Sequence, residues 1–335
     1  MVNSMYIGKR IKEIRTSKGL TLDALAKRLG YNTRSTVYKI ENGDIKLNIE
    51  GLANMAKALE ISIDELLLED IEMLDAKEVI DKVESHNQVS DILYTVYGIR
   101  KEDYYDIAVI APSWYPDKVF SEEDNIILLR KGVYNSAYEI YKDDLKIAYI
   151  QCGSGASNLV DAMLCLTNAN VKKIVFVGAV GALYKETEIG TITTPNECIS
   201  FDGAIPFFYK KLEKKLYGTT IKPTNLGFVD KIINHCLKYD INITKEKVFC
   251  TDSIILEYSH LDEIKATGAR LIEMETAAFY SCLKMIDKVG MAILLVSDNS
   301  DNNKSLVEQA IDDKNKYNYV RSNYISKIIS IISDF

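Results

Sequence analysis

The longest apolar run in the chain, Ile174–Leu183, is ten residues long and holds two glycines. A membrane-spanning helix needs about 20 such residues, so this run is expected inside a protein core. Its first part, Lys173–Gly178, is rich in β-branched and aromatic side chains and reads as a strand. Similar runs recur at Ile107–Ala111, Leu145–Gln151, Thr191–Ser200 and Ala292–Ser297, with helix-like stretches near Asn158–Asn168, Leu226–Tyr239 and Ile272–Met285 between them. Strands continuous in Ile and Val, followed by glycine turns and helices, predict an α/β domain over 105–335 with a largely buried, mixed central sheet.

The beginning of the chain follows a different period. Residues 5–68 read as five short helices, marked by Ile7, Ile11 and Ile14, then Leu22, Leu25, Ala26 and Leu29, then Val37 and Ile40, then Leu52, Met55, Ala56 and Leu59. Thr21 and Thr33 are placed to cap the second and third helices, Gly30 and Gly43 to end them, and Ser62 with Glu65 has capping-box spacing before Leu66 and Leu67. A small all-α domain is therefore expected, joined by a polar, proline-free helical linker over 71–103.

Charge divides the chain in the same place. Residues 1–60 hold 11 Lys and Arg against 6 Asp and Glu, while the remainder holds 30 against 42, for a net charge of −7. A basic head on an acidic body suits a segment that meets a polyanion fused to one that need not. The six cysteines are far apart, with no C-x-x-C pair, and His86, His235 and His260 show no partner pattern. Reduced thiols and no metal or other cofactor are expected. Met1–Arg15 has no apolar leader, so a cytoplasmic location without membrane contact is expected.

In the head, Leu20–Glu41 carries a short helix, a glycine-containing turn and a second helix whose outer face is polar. That arrangement can present hydrogen-bonding side chains to base edges in a major groove. With ALAKRLG, RSTVYKIENG, LANMAKAL and SIDELL in order, the segment resembles the Cro/C1-type helix-turn-helix family. The resemblance implies double-stranded DNA as a partner. It makes Thr33, Arg34, Ser35, Tyr38 and Lys39 candidates for base or backbone contact, and Thr21 and Lys46 candidates for phosphate contact. The turn Gly30–Thr33 is one residue longer than usual for that family.

Three pieces of the body carry chemistry. Gly153-Ser154-Gly155 and Gly178-Ala179-Val180-Gly181 each follow a strand, where glycine turns admit a ligand to backbone amides. Glu273-Met274-Glu275, read as the start of a helix, puts its two carboxylates on opposite sides, so that one enters a pocket and the other is held elsewhere. A pocket carboxylate can accept both hydroxyls of a sugar diol. Ser297-Asp298-Asn299 ends a buried strand, where an Asp can act as a general acid or merely cap a turn.

The ordered set VGAVGA, IEMETAA and VSDN resembles the purine nucleoside phosphorylase and nucleosidase superfamily. The resemblance implies that Glu275 binds ribose hydroxyls, Met274 packs on the sugar and Asp298 bonds a purine at N7. It also makes Phe249–Ile255 a base-stacking strand, with Ile254 where an aromatic residue is common and Ile255 beside it. Departures are concentrated where phosphate would sit. Phe176 and Ala179 stand in place of an Arg and a Ser or Thr, and Ala111–Asp117 has no Arg. Phosphorolysis is therefore disfavoured, and hydrolysis would need Asp117 to activate water. The expected protein is a DNA-binding regulator, a homodimer or larger homo-oligomer, sensing a purine nucleoside or related small molecule. The alternative is an active nucleosidase, or a phosphorylase, with a DNA-binding head, including a defence or toxin-antitoxin effector.

Overall fold

The computed structural model describes residues 4–335 apart from 62, 64–65, 67–71, 133–134, 211, 213–216 and 306. The chain divides into two compact units, Met1–Glu72 and Met73–Phe335. No helix among the described residues is long and apolar enough to cross a membrane.

The first unit contains α1 (Ser4–Ser17), α2 (Leu22–Arg28), α3 (Arg34–Glu41) and α4 (Ile49–Leu59). The helical periodicity brings Ile7, Ile11, Ile14, Leu25, Val37, Ile40, Met55 and Leu59 into one core, which Leu66 completes. Thr21 Oγ1 caps α2 by accepting from Ala24 N at 3.1 Å, whereas Thr33 precedes α3 without a side-chain cap bond. The Ser62–Glu65 capping box lies outside the described residues. Inside the core, Arg15 Nε donates to Glu41 Oε1 at 2.6 Å and Nη2 to Oε2 at 3.1 Å, tying α1 to α3. Gly8 makes the two helices approach closely, because a Cβ there would stand 2.3 Å from the Ile40 carbonyl oxygen.

In the second unit, α5 (Ala76–Asn87) and α6 (Ile92–Tyr97) occupy the expected linker. They belong to the α/β unit, burying Ile80, Leu93 and Tyr97. The strands are β1 (Ile107–Ala111), β2 (Asn125–Lys131), β3 (Ser136–Lys142), β4 (Leu145–Gln151), β5 (Lys173–Ala182), β6 (Ile192–Ser200), β7 (Thr219–Ile221), β8 (Ile243–Cys250), β9 (Leu271–Glu273) and β10 (Val289–Asn299). Among the helices, α7 (Ala156–Cys165), α8 (Leu226–Cys236), α9 (Leu261–Ala266), α10 (Thr276–Met285) and α11 (Ile311–Asp334) follow.

Strand β5 pairs in parallel with β1 on one side and β10 on the other. From β10 the pairing runs through β6, β8 and β9, and returns to the last residues of β5, so that five strands close on themselves. Strands β4, β3 and β2 extend from β1 as an open flank. This closure corrects one expectation: Gly178–Ala182 is strand rather than turn, since β10 holds it along one edge and β9 takes up Gly181 and Ala182 on the other. Glu273 likewise ends β9 rather than starting a helix, with α10 beginning at Thr276. The expected base-stacking strand stops at Cys250, leaving Ile254 and Ile255 in an exposed turn.

Candidate functional site

A cavity of about 430 Å³ opens where the C-terminal halves of β5 and β10 meet β9. Ser154, Gly178, Ala179, Ile254, Ile255, Glu273, Met274, Glu275, Ser297 and Asp298 all line it, so most of the residues expected from sequence converge. Gly153 is not in the wall, but its φ of +83°, with +98° at Gly155, shapes the turn that delivers Ser154.

Glu273 and Glu275 both line the cavity, rather than one entering it and the other lying elsewhere, but they are held differently. Glu273 accepts from Glu275 N at 2.7 Å, from Thr276 N at 2.9 Å and from Thr276 Oγ1 at 2.7 Å, while Cys250 Sγ donates to it at 2.9 Å. It is thus a buried cap on the N-terminus of α10, where a carboxylate also meets the helix dipole. Glu275 accepts from Gly155 N at 2.6 Å. Burial first, and then the charge of Glu273, push the Glu275 carboxyl up to about 8. A carboxyl with spare acceptor positions in a dry wall suits a ligand hydroxyl pair.

Asp298 follows a β-bulge, since the β5–β10 register shifts between Val296 and Asp298. Bulges re-aim side chains beside sites, and here Asp298 faces the cavity. Burial raises its pKa, although Ser297 Oγ donates to Oδ1 at 2.6 Å and pulls the other way. Gly181 leaves it room, because a Cβ there would stand 3.0 Å from Asp298 Oδ2. Asn299 instead has a structural task, with Nδ2 donating to the carbonyls of Tyr184 and Thr187 and Oδ1 accepting from Asp301 N and Asn302 N.

Asp117 is not in the cavity wall, contrary to the expectation that it activates water there. The inward positions of its loop are taken by Trp114 and Pro116, both buried. Trp114 Nε1 donates to Tyr317 Oη at 3.2 Å, and Tyr149 Oη donates to the Trp114 carbonyl at 2.8 Å. Asp117 is left exposed, paired with Lys118 at 2.9 Å. Phe176 turns into the core against Phe279, with ring centroids 5.6 Å apart, while Ala179 remains in the wall. No Lys, Arg or His is among the described residues lining the cavity. One lining acid was missed from sequence: Glu257, whose burial and nearness to Asp298 raise it to about 7. No group of three His, Cys, Asp or Glu among the described residues is arranged to hold a metal ion.

On the head, Thr33, Arg34, Ser35, Tyr38 and Lys39 are exposed at the start and along the outer face of α3, while Val37 and Ile40 are buried. Lys46 and Thr21 are exposed, and Thr21 already serves as a cap. Arg34 Nη1 lies 3.6 Å from Asp23 Oδ2 with both side chains 69% exposed, a pairing that water screens heavily.

Comparison with known proteins agrees with this division. The HTH-type transcriptional activator BcrR of Enterococcus faecalis is 32% identical over 97 residues, 28% of this chain. The chain spans only 44% of that relative's length. The AMP nucleosidase of Bacteroides thetaiotaomicron VPI-5482 superposes with a TM-score of 0.54 at 17% identity, covering 66% of this chain and 90% of that one. Uridine phosphorylase of Vibrio fischeri ES114 does so with 0.55 at 18%, covering 70% and 93%. At such identities the likeness is one of fold. A sequence profile described as Helix-turn-helix matches residues 11–66, and one described as Phosphorylase superfamily matches 116–330, well over half of the chain. The chain is therefore a member of the phosphorylase superfamily that carries a helix-turn-helix domain ahead of its α/β fold.

Proposed function

We propose that this protein is a DNA-binding transcriptional regulator whose phosphorylase-type unit binds a purine nucleoside or related small molecule. The observation that carries the reading is a cavity that keeps Glu275 and Asp298 in its wall while no cationic side chain lines it among the described residues. Glu275 accepts the ribose hydroxyls, Met274 packs on the sugar and Asp298 bonds the base at N7. Inorganic phosphate would lose its water beside these acids with nothing positive to replace it, a cost of several kcal/mol. The exposed face of α3 reads DNA. Ligand binding shifts the operator affinity of a homo-oligomer whose paired heads meet half-sites roughly 34–36 Å apart. A coupling of about 1–3 kcal/mol changes that affinity about 5- to 150-fold.

Hydrolysis is the second reading, favoured by the raised Asp298 carboxyl, which suits a proton donor to a departing base. Incubating the full chain with nucleosides, with and without phosphate, and following free base by chromatography separates the two. Bound but uncleaved nucleoside together with a gel shift on its own upstream DNA that responds to the nucleoside supports the regulator. Phosphate-independent release that is lost in Asp298→Asn supports the hydrolase. Phosphate-dependent release, or no DNA binding at low salt, overturns the reading.

A further inference from the structure

The segment Ile254–Tyr258 inverts the usual polarity of a surface turn. Ile255, Leu256 and Tyr258 are 77%, 66% and 56% exposed, whereas Glu257 between them is 8% exposed and faces the cavity. The backbone fixes that orientation, with Glu257 N donating to the Ser253 carbonyl at 3.2 Å and the Glu257 carbonyl accepting from His260 N at 2.8 Å. Among the described residues the Glu257 carboxylate makes no hydrogen bond and no ion pair, in contrast to Glu273 and Glu275. A buried carboxylate without a partner is costly and calls for one. Local rules broken in this way mark functional positions.

Its place in the cavity is also defined. The charge that acts on Glu257 is that of Asp298, whereas the charge acting on Glu275 is that of Glu273. Glu257 therefore belongs to the Asp298 end, where the base lies, and not to the sugar end. On a purine, the six-position substituent is the neighbour of N7 on the same edge. Resting on the nucleoside reading above, we infer that Glu257 is a specificity-determining residue that accepts a hydrogen bond from the 6-amino group of a purine whose N7 faces Asp298. An ionised carboxylate accepts but cannot donate, so a 6-oxo purine would set its carbonyl oxygen against the carboxylate oxygens. Sites built around a hydrogen bond reject analogues that cannot make it far better than apolar pockets do.

Titration calorimetry of the full chain with adenosine and inosine at pH 7.5, just above the titration of Glu257 near 7 so that excess alkali does not strip the proton Asp298 lends to N7, tests this. Wild type is expected to bind adenosine about tenfold or more tighter than inosine. Glu257→Gln, whose amide both donates and accepts, is expected to bring the two within about threefold of each other. Glu257→Asp, which keeps the charge and shortens the reach, is expected to keep the preference for adenosine with weaker binding. Thermal melting of both variants checks that they fold. Equal affinities in wild type, or a preference that survives in Glu257→Gln, overturns this inference and leaves the nucleoside reading standing. Wild type that binds neither nucleoside overturns both.

Discussion

Nucleoside binding should be proton-linked through Glu275. In the free protein this carboxyl is pushed up to about 8, by burial first and by the Glu273 charge second, and the Gly155 amide offsets only part of that. Of the other groups packed around it, the Cys152 thiol is itself raised by burial and stays neutral. To accept both hydroxyls of a ribose, Glu275 must be ionised, so the ligand prefers the deprotonated protein and binding expels a proton. Through Glu275, affinity therefore rises with pH and levels off above about 8, while loss of the proton that Asp298 lends to N7 acts in the opposite direction. If the bound carboxyl returns to the ordinary range, Kd weakens about tenfold per unit below that plateau, about 1.4 kcal/mol each, and about 100-fold by pH 6. Calorimetry at pH 6.5 in two buffers of different ionisation enthalpy should report about one proton more released per ligand by wild type than by Glu275→Gln. Glu275→Gln should flatten the slope between pH 7 and 9, leaving below it only the smaller contribution of Glu257, which titrates near 7. A Kd that stays constant between pH 6.5 and 8.5, or proton uptake on binding, would refute the placement of the sugar on Glu275.

Three further outcomes are expected. Glu41→Ala removes the counter-charge of the buried Arg15 guanidinium, leaving it its bond to the Leu20 carbonyl, and should destabilise the head by about 3 kcal/mol, measured as the urea concentration at which DNA binding is lost. Arg15→Met combined with Glu41→Leu should recover most of that loss, and no recovery would mean the pair does more than satisfy itself. Gly181→Ala presses on Asp298 Oδ2 from 3.0 Å and should weaken nucleoside binding by about tenfold, about 1.4 kcal/mol, without altering ligand-free DNA binding; unchanged affinity would put the base away from Asp298. Arg34→Ala should lower operator affinity by about 1–3 kcal/mol if it contacts a base, or reduce the salt slope by about 1 if it contacts phosphate. An unchanged gel shift would remove α3 from the interface.

The head was legible because its signals are local. Residues three and four apart share a face, so Ile7, Ile11, Leu25, Val37, Ile40 and Met55 announce a common core from spacing alone. What spacing could not show is the contact between distant residues that fastens it: the Arg15–Glu41 pair looks like ordinary surface charge in sequence, and Gly8 like an indifferent helix residue. In the body, the buried strands β1, β4 and the start of β5 were visible as continuous apolar runs. The β2–β3 hairpin was not, because β2 is largely exposed and mixes polar with apolar residues. Gly178–Ala182 was misjudged for a related reason. Glycines ordinarily end strands, and only the non-local pairing with β9 and β10 keeps these in one.

The same division explains which parts of the site could be found in advance. Glu275 and Asp298 belong to short motifs, and their neighbours in sequence are also their neighbours in the wall. Glu257 belongs to none, and an acid in a turn is by default a solvated one. Its significance exists only because the turn after β8 faces its apolar side chains outward and its one carboxylate inward, a choice made by the fold around the cavity rather than by local preference. That choice also bears on what the site rejects. Glu257, Glu275 and Asp298 are each raised by burial, and among the described residues no positive side chain lines the space between them. A ligand relieves the cost of burying these acids when it brings hydrogen-bond donors to Glu257 and Glu275 and an acceptor such as N7 to the proton of Asp298, whereas one that brings further negative charge adds to it. On the nucleoside reading, a 5′-phosphate on the ligand should therefore weaken binding at every pH where any of these acids carries charge.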